Sequence, residues 1–504
     1  MKKPNIILML ADDLGYGDIS CLNPNSRIHT KNLDQLASEG LNCTDAHATS
    51  ALCSPSRYGL LTGRYNWRSW LKSQVLIATE DNMIEEGRMT IASMLKGQGY
   101  RTACIGKWHL GVQWARTNNA PPQLDYSKMY DWADPNGWHT NVDYSKPYKN
   151  GPNDCGFDYF FGIANSLGTP PHIYMENDHA LGVPDTMIGD PEHVLFSPKT
   201  ALTSIYGPGA SDYVPENVAM ELQNKILDQI DEYAKSDDPF FIYYPCTPVH
   251  VPLLPTEEFQ GKSGLGPYGD FVLMLDYMVG EIMHKLEEKG LKEDTIFIFA
   301  SDNGCGSNVD YPGLISKGHN PSYVFRGAKG DIYDGGHKIP YIISYPNMIE
   351  PGTCNATVSL CDLMATLAEL LDIKLPDAAA EDSISNLSLW KGDREPVRGD
   401  IVYSCLMGNL AIQKGDWRLE FLPRSGGASE MFNNFDYSDS PKFQLYNMRG
   451  DVGERCNLMD KHPDIVEDLT ELMKKRIEDG RTTAGAEQKN TGPVMWKEIQ
   501  NIYE

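Results

Sequence analysis

The sequence predicts an α/β protein with a large mixed, mostly parallel sheet flanked by helices, and a smaller C-terminal α+β domain that contains a short antiparallel sheet. Three observations support this. Apolar strand patterns alternate with helical patterns from residue 4 to about 375, a largely polar stretch covers residues 376–398, and short strand patterns with turn signals follow it. At 504 residues the chain can bury two cores. We therefore predict a larger domain at residues 1–385 and a smaller one at residues 386–504.

The elements of both domains are predicted from periodicity and from turn residues. Short apolar runs bounded by turns are typical of strands buried on both faces of a parallel sheet, and they cover residues 5–11, 100–105, 240–244 and 295–300. Helical patterns cover residues 90–96, 216–234, 271–288 and 360–371. In the smaller domain, strands are predicted within residues 400–422 and 443–447, and an amphipathic helix from about residue 463 to 476.

Composition limits the classes of partner. The chain has 69 acidic and 44 basic residues, a formal net charge of −25, which excludes nonspecific nucleic-acid binding because affinity for a polyanion needs basic surface. No apolar stretch has the length needed to span a bilayer, so we expect no membrane partner. The eleven cysteines are scattered, which favours a reducing compartment. We expect a cytoplasmic protein as the sequence stands, or a periplasmic or secreted one if an export signal was trimmed.

Acidic and amide side chains follow two of the predicted strands. Asp12 and Asp13 come directly after residues 5–11, and Asp302 and Asn303 follow residues 295–300. Ligands of open α/β sheets gather at the carboxyl ends of strands, so we expect these groups to converge. Adjacent carboxylates repel unless a cation lies between them, and an oxygen-only set favours Ca²⁺ or Mg²⁺ over zinc or copper. Taken singly, each pair is equally typical of a solvated turn.

A cysteine and an arginine lie at the predicted start of a short helix. Pro55 suits the first helical position and Gly63 suits the end, which places Cys53 just outside the helix N-terminus. The free N–H groups and the dipole at that end favour negative charge, so Cys53 and Arg57 predict an anion site beside a nucleophile precursor. For a lone Cys-x-Pro pattern, a buried cysteine before an ordinary helix is the alternative.

Three further cationic groups follow predicted strands. Lys107 and His109 come after residues 100–105, and on extended backbone they would point to the same side, which suits a clamp on an oxyanion and a proton carrier. His250 follows residues 240–244 in a loop flanked by prolines. For each of the two histidines taken alone, a purely structural role is the alternative.

Two of these segments together resemble the signatures of a known family. Residues 53–64 read Cys-Ser-Pro-Ser-Arg-Tyr-Gly-Leu-Leu-Thr-Gly-Arg, and residues 106–111 read Gly-Lys-Trp-His-Leu-Gly. They are similar to the signatures of the type I sulfatases of the alkaline phosphatase superfamily, and the chain looks like an arylsulfatase-type bacterial carbohydrate sulfatase. The resemblance covers nearly the whole chain and implies an alkaline phosphatase-like fold. It also implies that a formylglycine-generating or radical maturation enzyme oxidises Cys53 to formylglycine, carried as its hydrate.

The resemblance implies a role for each candidate residue. It implies a cation, Ca²⁺ with Mg²⁺ as the alternative, bound by Asp12, Asp13, Asp302, Asn303 and the modified Cys53. One hydroxyl of the hydrate, steadied by Arg57, attacks the sulfur of a sulfate monoester, and His250 protonates the leaving alcohol. Lys107 and Lys329 hold the sulfuryl oxygens, and His109 deprotonates the second hydroxyl, which expels sulfate. Many members carry arginine at the position of Lys338, and lysine lacks the planar fork.

The implied substrate is a sulfated sugar or glycan fragment, with aryl sulfates as assay substrates. Phosphonate monoester and phosphodiester hydrolases of the same superfamily share the Cys-x-Pro-Ser-Arg nucleophile and are the main alternative; a noncatalytic binder of sulfated glycans is a second. The loop at residues 162–178 resembles loops of sugar sulfatases, so His172, Asn177 and Asp178 are candidates for contacts with sugar hydroxyls, with turn residues as the alternative. Aromatic residues that could form a sugar platform, or belong to the core, are Trp108, Trp114, Trp132 and Trp138.

Overall fold

The computed structural model describes residues 2–77, 79–118, 141–189, 206–431 and 440–504. Its strands, in chain order, are β1 (Asn5–Ala11), β2 (Leu41–Cys43), β3 (Ala46–His47), β4 (Arg101–Lys107), β5 (Tyr159–Ile163), β6 (Tyr174–Glu176), β7 (His179–Leu181), β8 (Thr186–Ile188), β9 (Gly207–Gly209), β10 (Phe240–Pro245), β11 (Thr295–Ser301), β12 (Tyr341–Ser344), β13 (Gly352–Cys354), β14 (Val358–Ser359), β15 (Ile401–Ser404), β16 (Leu410–Lys414), β17 (Trp417–Glu420) and β18 (Gln444–Asn447).

The helices connect these strands and cover both faces of the large sheet. In chain order they are α1 (Lys31–Glu39), α2 (Cys53–Thr62), α3 (Ile91–Lys96), α4 (Val218–Tyr233), α5 (Pro267–Glu288), α6 (Tyr311–Ser316), α7 (Asp334–His337), α8 (Leu363–Leu370), α9 (Leu387–Trp390), α10 (Ala428–Met431), α11 (Pro463–Glu478) and α12 (Gln500–Tyr503). In the described part of the chain, none of these helices combines the length and the hydropathy that crossing a bilayer demands.

The described residues form a ten-stranded main sheet in the order β13-β2-β12-β11-β1-β10-β4-β5-β6-β7. Strands β11, β1, β10, β4 and β5 run parallel, whereas β12 and β6 on either side of them are antiparallel to their neighbours. The predicted large, mixed, mostly parallel sheet is therefore confirmed. The parallel strands bring the carboxyl ends of β11, β1, β10 and β4 to one edge of the sheet, where their following loops meet.

Strand β1 shows why the sheet forms at the centre of the larger domain. All seven of its residues are buried, so both faces of the strand are covered. Its side chains alternate between two cores, as the two-residue period of a strand requires: Ile6 and Leu8 pack in the core under α2, α3 and α8, and Ile7 and Met9 pack in the core under α1, α4 and α5. A continuous apolar run is consequently the expected pattern.

The C-terminal residues form the predicted small antiparallel sheet. Its order is β15-β16-β17-β18, all antiparallel, and α11 packs on it. Its core also holds Tyr65 and Trp67, which come directly after α2. The polar stretch at residues 376–398 is partly buried here: helix α9 packs in the core of the larger domain. The division at residues 385/386 stays a prediction.

Candidate active site

Four predicted oxygen ligands converge at the carboxyl ends of β1 and β11, which are register neighbours. The Asp13 N–H donates to Asp302 Oδ1 at 3.1 Å, and Asn303 Nδ2 donates to Asp13 Oδ1 at 2.8 Å. Asp12, Asp13, Asp302 and Asn303 are all buried. Buried carboxylates this close together need compensating positive charge, so the arrangement is suited to a cation.

The donor atoms fit the cation that the sequence resemblance implies. Asp12 Oδ1 and Asn303 Oδ1 are buried oxygens without a hydrogen-bond partner among the described residues. One carboxylate oxygen of Asp12, one of Asp302 and the Cys53 sulfur lie within 4.8 Å of one another. Asp12 Oδ1 has the Arg57 guanidinium nearby, at 3.4 Å, and buried oxygens without a hydrogen bond are costly unless something binds them. The residues present therefore match a hard-cation site to which position 53 contributes one donor.

Helix α2 carries Cys53 and Arg57 into this cluster. It runs from Cys53 to Thr62, and Gly63, with a left-handed φ of 64°, caps its C-terminus. The prediction that Cys53 lies just outside the helix is therefore wrong: Pro55 is the third helical residue, where its missing N–H is still one that no helix would satisfy. Arg57 Nε and Nη2 donate to Asp302 Oδ2 at 3.0 and 2.7 Å. Burial raises the pKa of Asp302 to about 6 against the opposing effect of Arg57.

Two lysines bring further positive charge to the acids. Lys107, at the end of β4, places Nζ 2.7 Å from Asp12 Oδ2, and Lys329 places Nζ 2.6 Å from Asp13 Oδ1. Burial alone would raise the pKa of Asp12, but Lys107 and neighbouring cations hold it well below its usual range. Burial likewise opposes the charged form of Lys329, and Asp13 raises its pKa above the ordinary value. Asp12 and Lys329 thus both favour their charged forms at this site.

His250 lies beside the same carboxylates. Its Nε2 is 3.7 Å from Asp13 Oδ2 and 3.4 Å from Ser166 Oγ, and 17 % of its side chain is exposed. Burial, followed by the nearby Lys329 charge, lowers the pKa of His250 to about 4. Ser166 was not predicted as a site residue. Ser166 comes shortly after the carboxyl end of β5, as the other site residues come after the ends of their strands. Its place after a predicted parallel strand could therefore have identified it as a candidate.

His109 reaches the site by a different backbone path from the one predicted. It does not continue the extended strand: its φ is 54°, in the left-handed region, so the expectation that Lys107 and His109 share a side by strand alternation is wrong. His109 Nε2 contacts Leu76 O at 2.9 Å, and the Leu76 N–H donates to Ser54 Oγ next to Cys53. Burial, then Lys107 and Arg57, lower its pKa well below the ordinary value.

The chain matches one family over most of its length. The Sulfatase family profile matches residues 4–373. The protein belongs to the sulfatase family. It is 35 % identical over 501 residues to an N-acetylgalactosamine-6-O-sulfatase of Bacteroides thetaiotaomicron, covering 94 % of this chain and 93 % of the relative. It is 29 % identical over 504 residues to human arylsulfatase A, covering 97 % of this chain and 90 % of that protein. The sulfatase is therefore a sulfuric ester hydrolase.

Solved structures agree with this assignment of the sulfatase. A structure described under glycosaminoglycan metabolism in Bacteroides thetaiotaomicron superposes with a TM-score of 0.78 at 31 % identity, covering 94 % of this chain and 99 % of that one. A sulfatase from a Pseudoalteromonas species superposes with a TM-score of 0.69 at 22 % identity, covering 96 % of this chain and 92 % of that one, which supports the fold.

Two of the three residues predicted to contact the sugar lie at the wrong edge of the sulfatase's sheet. Asn177 and Asp178 form the turn between β6 and β7, and the Asn177 N–H donates to Phe160 O near the start of β5. The site lies at the opposite, carboxyl end of β4 and β5. The prediction is wrong for these two residues because β6 runs antiparallel to β5, which carries its far end away from the site.

Three of the five remaining candidates for contact with a sugar lie among the described residues. His172 precedes β6, on the same side of the sheet as the site, and is buried with its ring 5.7 Å from Tyr213. Trp108 and Trp114 are buried core residues, whereas Trp132 and Trp138 lie outside the described residues.

Lys338 occupies the position at which many family members carry arginine. Its Nζ lies 2.5 Å from Asp45 Oδ1, so the lysine forms an internal ion pair there.

Proposed function

We propose that this sulfatase hydrolyses sulfate monoesters of sulfated sugars or glycan fragments, and accepts aryl sulfates in assay. The observation that carries the proposal is the meeting of the Cys53 sulfur with the Asp12 and Asp302 carboxylates, flanked by Lys107 and Lys329. Support for a sugar comes from the bacterial relative, which is named for N-acetylgalactosamine 6-sulfate. The positive groups create a local anion site within a chain of net charge −25.

The state of position 53 is the second part of the proposal. Burial raises the pKa of the Cys53 thiol against the opposing charges of Lys107 and Lys329, so an unmodified thiol would stay protonated and unreactive near neutral pH. We infer that a maturation enzyme converts Cys53 to formylglycine and that the cation is Ca²⁺, with Mg²⁺ as the alternative. Bound together, the aldehyde hydrate and the cation would supply an ionised hydroxyl as the nucleophile and would neutralise charge on the sulfate.

The chain's own residues perform the remaining steps. Lys107 and Lys329 present ammonium groups to the sulfuryl oxygens, where negative charge shifts during the reaction. Arg57 stays fixed on Asp302 and orients the carboxylate beside position 53. We propose that His250, held next to Asp13 and partly exposed, donates a proton to the departing alcohol oxygen, which requires the negative charge of the bound sulfate to raise its pKa from about 4. His109 Nδ1 is buried without a described hydrogen-bond partner and is available to take a proton from the position-53 hydroxyl.

The test compares esters of one alcohol. We would assay the full chain with 4-nitrophenyl sulfate, 4-nitrophenyl phosphate and a 4-nitrophenyl phosphonate, and then with defined 6-sulfated and 4-sulfated N-acetylgalactosamine and glucosamine. We expect clear turnover of the sulfate ester and of at least one sugar sulfate. Preference for the phosphonate would assign the protein to the phosphonate monoester hydrolases, and absence of turnover in protein with a converted position 53 would indicate a noncatalytic binder.

A matched control accompanies this assay. Cys53→Ala keeps the size of a small buried residue but removes the precursor of the nucleophile, so all sulfate turnover should disappear with it. Activity that persists in Cys53→Ala would come from a contaminating enzyme. A cytoplasmic location and the identity of the maturation enzyme stay predictions from the sequence.

A further inference from the structure

A second cluster of chemically active side chains lies away from the residues that act on sulfate. His47 ends β3, and Asp334 and His337 begin and end the short helix α7. All three side chains are buried, with exposures of 0 to 1 %. The Nδ1 atoms of His47 and His337 face each other at 3.1 Å. Buried polar atoms at this separation need a defined bonding partner, so the identity of what joins them can be argued from their surroundings.

The other ring nitrogen of each histidine determines what the facing atoms are. His337 Nε2 lies 2.8 Å from Ile332 O, and His47 Nε2 lies 3.2 Å from Asp45 Oδ1. A carbonyl and a carboxylate only accept hydrogen bonds, so both Nε2 atoms carry the proton. In neutral rings the two Nδ1 atoms are then both lone-pair acceptors. Two lone pairs that point at each other across 3.1 Å repel unless a cation lies between them.

A third donor reaches the same place. Asp334 Oδ1 is 4.0 Å from His47 Nδ1, and the two nitrogens and this oxygen all lie within 4.8 Å of one another. A proton would bridge only the two nitrogens, whereas a metal ion uses all three atoms. Zinc–nitrogen bonds of about 2.0–2.1 Å at a tetrahedral angle place two nitrogens about 3.3 Å apart, close to the separation of the two Nδ1 atoms. Asp334 Oδ1, 4.0 Å from His47 Nδ1, would move several tenths of an ångström closer when it binds the ion.

The atoms around the three donors repeat the usual outer shell of a metal site. Histidines that bind metals donate their second N–H to a carboxylate or to a backbone carbonyl, and carboxylate ligands are themselves hydrogen-bonded. Asp45 and Ile332 O fill the first role. Arg418 Nη2 forms an ion pair with Asp334 Oδ1 at 2.6 Å, and this oxygen accepts no hydrogen bond from the described residues. The Tyr403 ring stacks on His337 at 4.0 Å and fixes its orientation.

We propose that His47, His337 and Asp334 bind one divalent transition-metal ion of the zinc type through three protein donors, at a site separate from the catalytic cation. Imidazole nitrogens select such ions over Ca²⁺ and Mg²⁺, which prefer oxygen. The ion would join β3, which precedes the helix of Cys53, to helix α7, which follows Lys329. Through Arg418 it would connect both to β17 of the C-terminal sheet.

The test is metal analysis of the full chain. Protein incubated with zinc chloride, then passed through a desalting column in buffer with excess Ca²⁺, should retain about one zinc ion per chain. Cys53→Ala should retain the same amount. That result would exclude the thiol of the catalytic site as the group that binds the zinc. His337→Gln should lose the zinc, whereas His284→Ala, which removes an exposed histidine, should keep it. Zinc retained by His337→Gln, or absent from the wild-type protein, would overturn the proposal.

A measurement on the wild-type protein covers the case in which His337→Gln does not fold. X-ray absorption at the zinc edge should show nitrogen and oxygen donors at about 2.0–2.1 Å and no sulfur near 2.3 Å. A sulfur contribution would place the zinc at a cysteine and contradict the assignment. A wild-type protein that binds no zinc under these conditions would indicate that the two histidines share a proton instead.

Discussion

His250 Nε2 and Asp13 Oδ2 lie 3.7 Å apart. The histidine proposed as proton donor thus touches a carboxylate proposed as cation ligand, and Lys329 contacts the other oxygen of that carboxylate. Substitution of any one group will disturb the others through this shared residue, so the loss from His250 has to be separated from losses at Lys329 and at the cation.

The first prediction concerns His250. A sugar alcohol leaves poorly as an alkoxide, whereas 4-nitrophenolate leaves readily without a proton. His250→Ala should therefore lose about 10²–10⁴-fold in kcat/KM on a sugar sulfate and distinctly less on 4-nitrophenyl sulfate. Lys329→Ala, the matched control, should reduce both rates alike because it removes a contact with the sulfate. Equal losses for His250→Ala on the two esters would show that His250 positions sulfate.

The second prediction concerns the cation. Asp13→Ala should lose the divalent ion and the activity, because it removes a ligand and an acceptor of Asn303 at the centre of the cluster. Calcium and magnesium measured per chain in dialysed protein check this. Asp460→Ala, at an exposed position, should keep both metal and activity. Turnover by protein that holds neither metal would contradict the prediction.

The third prediction concerns position 53. Active protein should carry an aldehyde at position 53. A mass difference in the peptide that contains this position, and capture of that peptide with a carbonyl reagent, would detect it. The specific activity of separate preparations should rise in proportion to the converted fraction. Full activity in protein whose position 53 is wholly thiol would refute the formylglycine mechanism.

The fourth prediction concerns stability. Arg68 binds both oxygens of Asp382, at 2.7 and 2.9 Å, and both side chains are fully buried. Asp382→Ala leaves the guanidinium without its carboxylate, which should lower the free energy of unfolding by about 3–5 kcal/mol. Glu471→Ala, which breaks an exposed pair with Lys474, should cost less than about 1 kcal/mol. Denaturant unfolding followed by fluorescence measures both; similar costs for the two variants would contradict the prediction.

The fifth prediction concerns pH. Burial raises the pKa of Asp331 from 3.8 to about 6 in the folded protein. The folded state holds this proton more tightly than the unfolded state, so the stabilisation is present below pH 3.8 and is lost as pH rises through about 6. Asp331→Asn stays neutral and should flatten this part of the stability curve by up to about 3 kcal/mol. Denaturant midpoints at several pH values check it, and an unchanged slope would contradict it.

The sequence predicted the parts of the fold that depend on local pattern. The apolar run before Asp12 specified β1, and Gly63 specified the end of α2, because strand burial and a left-handed cap have strong local signals. The convergence of Asp12 and Asp302 was also predictable, since carboxyl ends of parallel strands share one edge of a sheet. These positions needed no knowledge of which strands pair.

The failures came from long-range or conformational information. Asn177 and Asp178 were misplaced because the direction of β6 depends on pairing with β5. The position of His109 in the site depends on a left-handed backbone conformation, which a histidine in the sequence does not predict. The pairing of His47 with His337 joins residues 290 positions apart, and no periodicity reports such a contact.

The packing of Tyr65 and Trp67 in the core of the C-terminal sheet sets an order of events during synthesis. Tyr65 and Trp67 can reach their final packing only after β15 to β18 have been synthesised, and these strands come after all the others in chain order. In the finished protein Cys53 is 1 % exposed, out of reach of another enzyme. The conversion of Cys53 that we propose must therefore precede complete folding, and chains that fold first should remain thiols.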